Sequence, residues 1–401
     1  MASASRPTPP RVQAWKDALT EADMDAAILF EPQYVQHTTG FNALINSMPS
    51  VSIVLPGDED PILLVNALRF ERAKETAFTS NIYGYGNFFG NPSIADTLDG
   101  ALLELFRKYQ LCDRQIGFMT GGITVKQFKA LKLQFPKADF TEADETFAPL
   151  RHVKDTDEIE MTRIAGKIAD AGAKAGIEAI NNGSTEQEVK DIVDAAMAAF
   201  RRQHYPKIEV SDFGNSHSAL FNGNQSWCLS GPRTKVSCDA PSDRVPKRGE
   251  RVFLLIWATA GGYHAEKELM WFVDGVAPAQ DIKVVRDVRD AMDKMYALLK
   301  PGTSLGEVHL AGERHLFACG WQGWTASRNG HSIGLDPHEE PSMSAASKLV
   351  LKPGMFVTVE PNVSKRGAPS TRISETVEIT MDGYQFVTDP AIGKDQPLQQ
   401  I

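Results

Sequence analysis

The sequence predicts an α/β N-terminal domain followed by a larger α+β domain made of two similar halves about an internal pseudo-twofold. Three observations predict it. At 401 residues the chain exceeds one ordinary domain and allows each of two a substantial core. Over roughly its first third, strand-like apolar runs alternate with helical ones. Beyond that, one pattern occurs twice: Gly183-Ser184-Thr185-Glu186-Gln187-Glu188-Val189 and Gly302-Thr303-Ser304-Leu305-Gly306-Glu307-Val308.

In chain order, Ala26 to Phe30, Val51 to Leu55 and Ile62 to Val65 read as strands, and Ala95 to Tyr109 as a helix. The polar segment Arg151 to Asp157 carries good N-cap residues directly before a helix with Ile164, Ile168, Ala171 and Ala175 on one face. The domain boundary is therefore placed there, giving domains 1–155 and 156–401. In both copies of the repeated pattern a glycine closes one helix, the hydroxyl residues cap the next, and the glutamate suits a capping box. Each copy precedes a helix and then strand-like segments, Val252 to Trp257 and Met355 to Glu360. Two halves so related leave room for a site at their junction. Gly-Ser/Thr is also common helix punctuation, so seven positions leave duplication and coincidence evenly matched.

With 42 basic against 51 acidic residues, a net charge of -9 and no Lys/Arg run, no phosphate-neutralising face is expected, which argues against a nucleic-acid partner. The opening Met1 to Pro7 lacks the apolar stretch of a signal peptide, and no later run is long enough to cross a bilayer. A cytoplasmic protein with no membrane partner is expected. Cys112, Cys228, Cys238 and Cys319 are scattered, without a Cys-x-x-Cys pair, and read as free thiols.

The segment richest in chemistry is Asn329-Gly330-His331-Ser332-Ile333-Gly334-Leu335-Asp336-Pro337-His338-Glu339-Glu340-Pro341. Glycines permit close backbone approach, and two histidines lie seven residues apart. Either histidine alone reads as an ordinary hydrogen-bonded residue. Three further segments shift that balance: Gly262-Tyr263-His264-Ala265-Glu266, Thr358-Val359-Glu360-Pro361 and Thr371-Arg372-Ile373-Ser374-Glu375.

On these residues the chain resembles the pita-bread family of methionine aminopeptidases, prolidases and creatinase. Tyr34 to Phe41 looks like the family's N-terminal Tyr-x-x-x-Thr-Gly-Phe element, and residues 155 to 385 match its catalytic domain. The resemblance implies a creatinase-type N-terminal domain, a pita-bread catalytic domain and a homodimer. Metal-dependent relatives hold two divalent ions with two aspartates, a histidine and two glutamates, since hard cations need several anionic oxygens. The resemblance carries these positions onto Leu255-Ile256-Trp257, Glu266, His331, Glu360 and Ser374. The first and last offer no carboxylate. Glu375 cannot easily replace Ser374, because neighbours on a strand point to opposite faces. A metal-independent enzyme with no cofactor is therefore expected.

Among metal-free relatives creatinase fits poorly, since the position of its histidine, counted from Ser230-Gly231, is Cys238. The ectoine hydrolases, related to creatinase, resemble the chain better. That resemblance implies opening of a cyclic amidine, with a small zwitterion as substrate. Glu266, His331, His338 and Glu360 are the candidate catalytic residues, with Glu266 as nucleophile or general base. An amidinium ring suits a pocket retaining Glu266 and Glu360. Arg372 could bind its carboxylate or form a structural ion pair; Trp227 and Trp257 could face the ring or simply pack. Cys238 could line the pocket or attack the substrate. The alternatives are a metal-dependent Xaa-Pro peptidase or prolidase with His331 and Glu360 as ligands, a creatinase-like amidinohydrolase, and a non-catalytic binding module.

Overall fold

The computed structural model describes residues 8–43, 48–208, 223–236, 238–365, 370–394 and 399–400. The opening Met1 to Pro7, read above for a leader, lies outside them. The chain divides into two compact units, one reaching Asp155 and the other opening at Thr156.

In the first unit, helices α1 (Pro10–Glu21), α2 (Pro32–Thr39), α3 (Phe70–Thr76), α4 (Leu98–Lys108), α5 (Val125–Gln134) and α6 (Asp144–Phe147) accompany six strands. These are β1 (Ala26–Leu29), β2 (Val51–Val54), β3 (Ile62–Asn66), β4 (Ile82–Tyr85), β5 (Gln115–Phe118) and β6 (Asp139–Glu142), in the order β4-β3-β2-β1-β5-β6. Both faces of the central strand are buried, which is why β1 reads as an unbroken apolar run. Ala26 and Ile28 face a core with Leu105, Phe106 and Phe135. Ala27 and Leu29 face Trp15, Leu19 and Phe147.

The second unit contains helices α7 (Thr156–Asn181), α8 (Glu186–His204), α9 (Ala279–Tyr296) and α10 (Leu305–Ala318). Its strands are β7 (Gln225–Ser230), β8 (Arg251–Ala260), β9 (Tyr263–Phe272), the short β10 (Val276–Ala277), β11 (Arg328–Ser332), β12 (Glu339–Ser344), β13 (Phe356–Val359), β14 (Ser374–Ile379) and β15 (Tyr384–Phe386). The main sheet runs β12-β11-β13-β14-β9-β8-β7, with β15 paired to β14. That order mirrors itself about the β9/β14 seam, and each flank has its own helix pair, α7 with α8 and α9 with α10. Both copies of the repeated pattern form capping boxes, Thr185 with Glu188 and Ser304 with Glu307. Gly183 and Gly302, at φ 80° and 91°, take the left-handed conformation that ends a helix. The two-halved α+β architecture is as the sequence predicts.

Helix α7 departs from the expected face. Ile164 and Ile168 are buried, but Ala165, Ala169, Gly172, Ala173 and Gly176 complete the stripe, and Ala171 and Ala175 are only half-buried. Small residues are required because the helix lies hard against its neighbours: a Cβ on Gly176 would meet Leu254 Cδ2 at 2.3 Å. Apolar periodicity weights large side chains and so misplaces a stripe made mostly of alanine and glycine.

Asp170 on the same helix accepts the Asp389 N–H at 3.0 Å, and burial pushes its carboxyl up to about 6 against the opposing pull of Lys267 and that hydrogen bond. A free aspartate titrates near ~3.9. With the folded value raised, stabilisation is full below about 4 and is lost as pH rises through about 6. Asp170→Asn is therefore expected to gain on wild type by about 1–2 kcal/mol between pH 4 and 7, a figure reduced from the full linkage value for partial exposure. Thermal melts of both proteins across that range check it; a constant difference would rule it out.

Candidate active site

The site is assembled on the β8–β9 hairpin and its neighbours. Gly261 and Gly262, at φ 55° and 88°, form the two-residue turn whose twist matches antiparallel strands. The turn sets the register, so Trp257 faces Glu266 and Leu255 faces Glu268. Alternation puts Glu266 and Glu268 on one face of β9 and Lys267 on the other. On β14, Ser374 pairs with Glu268 and Glu375 with Lys267. Ser374 thus joins the two glutamates, while Glu375 joins Lys267 behind the sheet.

Strand β11 delivers His331. A Cβ on the preceding Gly330 would lie 2.1 Å from the Thr358 carbonyl oxygen, so only glycine lets β11 approach β13 this closely. The His331 N–H donates to Thr358 Oγ1 at 3.1 Å. Glu360 follows β13, its N–H donating to the Asn329 carbonyl at 3.0 Å.

Glu266 is the centre of the cluster and is 1% exposed. Ser374 Oγ donates to its Oε1 at 2.8 Å, and Trp257 Nε1 donates to its Oε2 at 2.8 Å. His331 Nε2 lies 3.4 Å from Glu266 Oε2 and 3.8 Å from Glu360 Oε1. Burial opposes ionisation of Glu266, but His331, His338 and the Ser374 hydroxyl outweigh it and hold the carboxyl well below the usual range. Glu360 goes the other way: burial and the charge of Glu266 push it up to about 8. Burial also raises Glu268, against the opposing charge of Arg372. For His331 burial favours the neutral ring, but Glu266 and Glu360 prevail and raise it. His338 is half-buried, its ring 4.1 Å from that of His331, and burial together with that neighbour lowers it to about 4.

The donor set fits a divalent cation. His331 Nδ1 faces the Ser332 carbonyl oxygen at 2.9 Å, and a carbonyl only accepts, so Nδ1 carries the hydrogen and Nε2 is the atom left to ligate. Among the described residues the buried Nε2 has no well-aligned hydrogen-bond partner, its nearest acceptors being Glu266 Oε2 at 3.4 Å and Glu360 Oε1 at 3.8 Å, to which it would be ion-paired when the ring is protonated. Among the described residues, Glu266 with His331 and His338, and Glu266 with Glu268 and Glu360, have ligand atoms within 4.8 Å of one another. One histidine nitrogen between anionic oxygens is a set that zinc, manganese or cobalt accepts.

The structure brings Glu266, His331, His338 and Glu360 together, and Arg372 beside them through its ion pair with Glu268. Trp227 stands one step removed, edge-on to Trp257 at 5.1 Å. Cys238 is exposed; loss of hydration raises its thiol, with Arg372 opposing and the site glutamates adding to the rise, which makes it a poor nucleophile. Sequence reasoning missed Glu268, although its place two residues beyond Glu266 on a strand was a usable signal. It also left Trp257 open between packing and substrate contact, whereas the indole N–H is a hydrogen-bond donor to Glu266.

The family model described as Metallopeptidase family M24 matches residues 160–381, and that of the Creatinase/Prolidase N-terminal domain matches residues 11–153. An Xaa-Pro dipeptidase of Lactobacillus delbrueckii subsp. lactis is 24% identical over 383 residues, covering 94% of this chain and 95% of its own. The solved Xaa-Pro dipeptidase from Bacillus anthracis superposes with TM-score 0.79 at 21% identity, covering 97% of this chain and 99% of its own. The prolidase from Pyrococcus horikoshii OT3 gives TM-score 0.77 at 22% identity, covering 95% and 98%. These findings correct the expectation of a metal-independent ectoine hydrolase. The matching family is one of metallopeptidases, and the similar proteins are named Xaa-Pro dipeptidase and prolidase.

Proposed function

The chain belongs to metallopeptidase family M24, and from that membership we propose that it hydrolyses the peptide bond of short substrates of the Xaa-Pro dipeptide class at the Glu266–His331–Glu360 cluster. The observation that carries this is the buried Nε2 of His331, set 3.4 Å from Glu266 Oε2 and 3.8 Å from Glu360 Oε1. The names of the relatives support the substrate class. A dipeptide is itself a small zwitterion, so that part of the sequence expectation keeps its meaning.

A divalent cation held by Glu266, His331 and Glu360 would supply Lewis acidity toward the scissile carbonyl. The rest falls to side chains of this chain. Glu266, kept ionised by its donors, supplies negative charge that would balance such a cation. His338, neutral at pH 7 with a value of about 4, can donate an N–H to the carbonyl oxygen as negative charge develops there. Arg372 gives Nη2 to Glu268, and its guanidinium has further N–H donors with which to bind a substrate carboxylate.

A panel of Xaa-Pro dipeptides, matched Xaa-Xaa dipeptides and N-blocked Xaa-Pro compounds tests the reading with manganese or cobalt present. Cleavage of free Xaa-Pro dipeptides, lost on chelation and restored by metal, is expected. Failure to cleave any dipeptide under these conditions would sink it.

A further inference from the structure

Each of the two positions that lack a carboxylate has a partner in the structure, and it is the same one. Trp257 Nε1 donates to Glu266 Oε2 and Ser374 Oγ donates to Glu266 Oε1, both at 2.8 Å. An indole N–H is a donor with no lone pair to give a metal. A hydroxyl turned to donate presents its hydrogen to the carboxylate. Both therefore bring partial positive charge to Glu266 on the sides where a second ion would need anionic oxygen.

The remaining carboxylate is also committed. Glu268 is 1% exposed and is ion-paired to Arg372. A cation bound there would have to displace or face the guanidinium of Arg372, two residues before β14. His331 Nε2 lies 3.4 Å from Glu266 Oε2, the oxygen that also accepts from Trp257, and 3.8 Å from Glu360 Oε1, which Arg328 Nε approaches only to 3.9 Å.

We infer that the site holds one divalent cation, ligated by Glu266, His331 and Glu360, with the donors Trp257 and Ser374 and the Arg372 guanidinium standing where a second ion's charge would otherwise be. This deepens the metallopeptidase reading above and rests on it, but it is tested by stoichiometry rather than by turnover. Each oxygen of Glu266 accepts one protein hydrogen bond, and a single ion on the His331 side would take a further lone pair of Oε2.

The experiment is equilibrium dialysis of the full chain against manganese, with elemental analysis and electron paramagnetic resonance of the same samples. Wild type is expected to saturate at one equivalent, with the spectrum of an isolated ion. His331→Ala and Glu360→Gln should each lose that equivalent. The double variant Trp257→Asp/Ser374→Glu should take up a second, with exchange coupling between the ions. Two equivalents with coupling in wild type would overturn the one-ion site while leaving the peptidase reading intact, and no saturable equivalent would overturn the one-ion site and the metal-dependent reading together. One equivalent in a protein that cleaves no dipeptide would uphold the one-ion site and remove the proposed substrate class. Should the double variant fail to fold, the wild-type stoichiometry and spectrum still decide the matter.

Discussion

Replacing Glu266 by glutamine is expected to lower kcat/KM on any substrate of this site by at least about 10³-fold, with the fold intact. Glutamine matches the side chain in shape, and its amide oxygen can still accept from Trp257 Nε1. The amide NH₂ then faces Ser374, whose hydroxyl can rotate from donor to acceptor. Both buried hydrogen bonds survive in altered form, so the stability change should stay near about 1 kcal/mol. What is lost is the negative charge that balances His331 and any bound cation. Unchanged circular dichroism and a melting point within a few degrees would assign the loss to chemistry. Activity within tenfold of wild type would remove Glu266 from the reacting groups.

The largest effect on stability is expected behind the sheet. Lys267 is 0% exposed, yet its ammonium donates to both oxygens of Glu375 at 2.7 and 2.8 Å and to the Asp389 carbonyl at 2.9 Å. Glu375 also accepts from Thr388 Oγ1 at 2.5 Å. Lys267→Met leaves a buried carboxylate without its counter-charge, which costs about 3–5 kcal/mol and should lower Tm by roughly 10 °C. Adding Glu375→Leu should recover most of the loss, because two apolar side chains need no counter-ion. Denaturant melts of the two single variants and the double variant measure this. A double variant as unstable as the sum of the singles would mean that the two residues act independently.

Much of the fold was legible because its signals are local. Strands β1, β2 and β3 are short apolar runs, and the paired capping boxes at Thr185 and Ser304 are readable from four consecutive residues each. The small-residue face of α7 was not, because the need for Gly176 arises from the position of Leu254, far away in the chain. The site divides the same way. The family resemblance of the segments around them singled out Glu266, His331, His338 and Glu360 as candidates. The behaviour of Glu268 depends on Arg372, 104 positions later, and no local pattern links them.

The sequence by itself determined which chemical groups are available: three site glutamates, two histidines, and at two ligand positions an indole and a hydroxyl in place of carboxylates. It could not decide how those groups share their hydrogen bonds and charges. Glu266 falls well below the usual carboxylate range while Glu360 rises to about 8, although both are buried glutamates. The difference comes from the donors each one meets across strands β8, β11 and β14, and electrostatic energy follows distance through the folded molecule rather than along the chain. The same rule explains the error over metal. Counting replaced residues along the sequence removed the ions, whereas the folded arrangement sets one buried imidazole nitrogen 3.4 and 3.8 Å from two carboxylates.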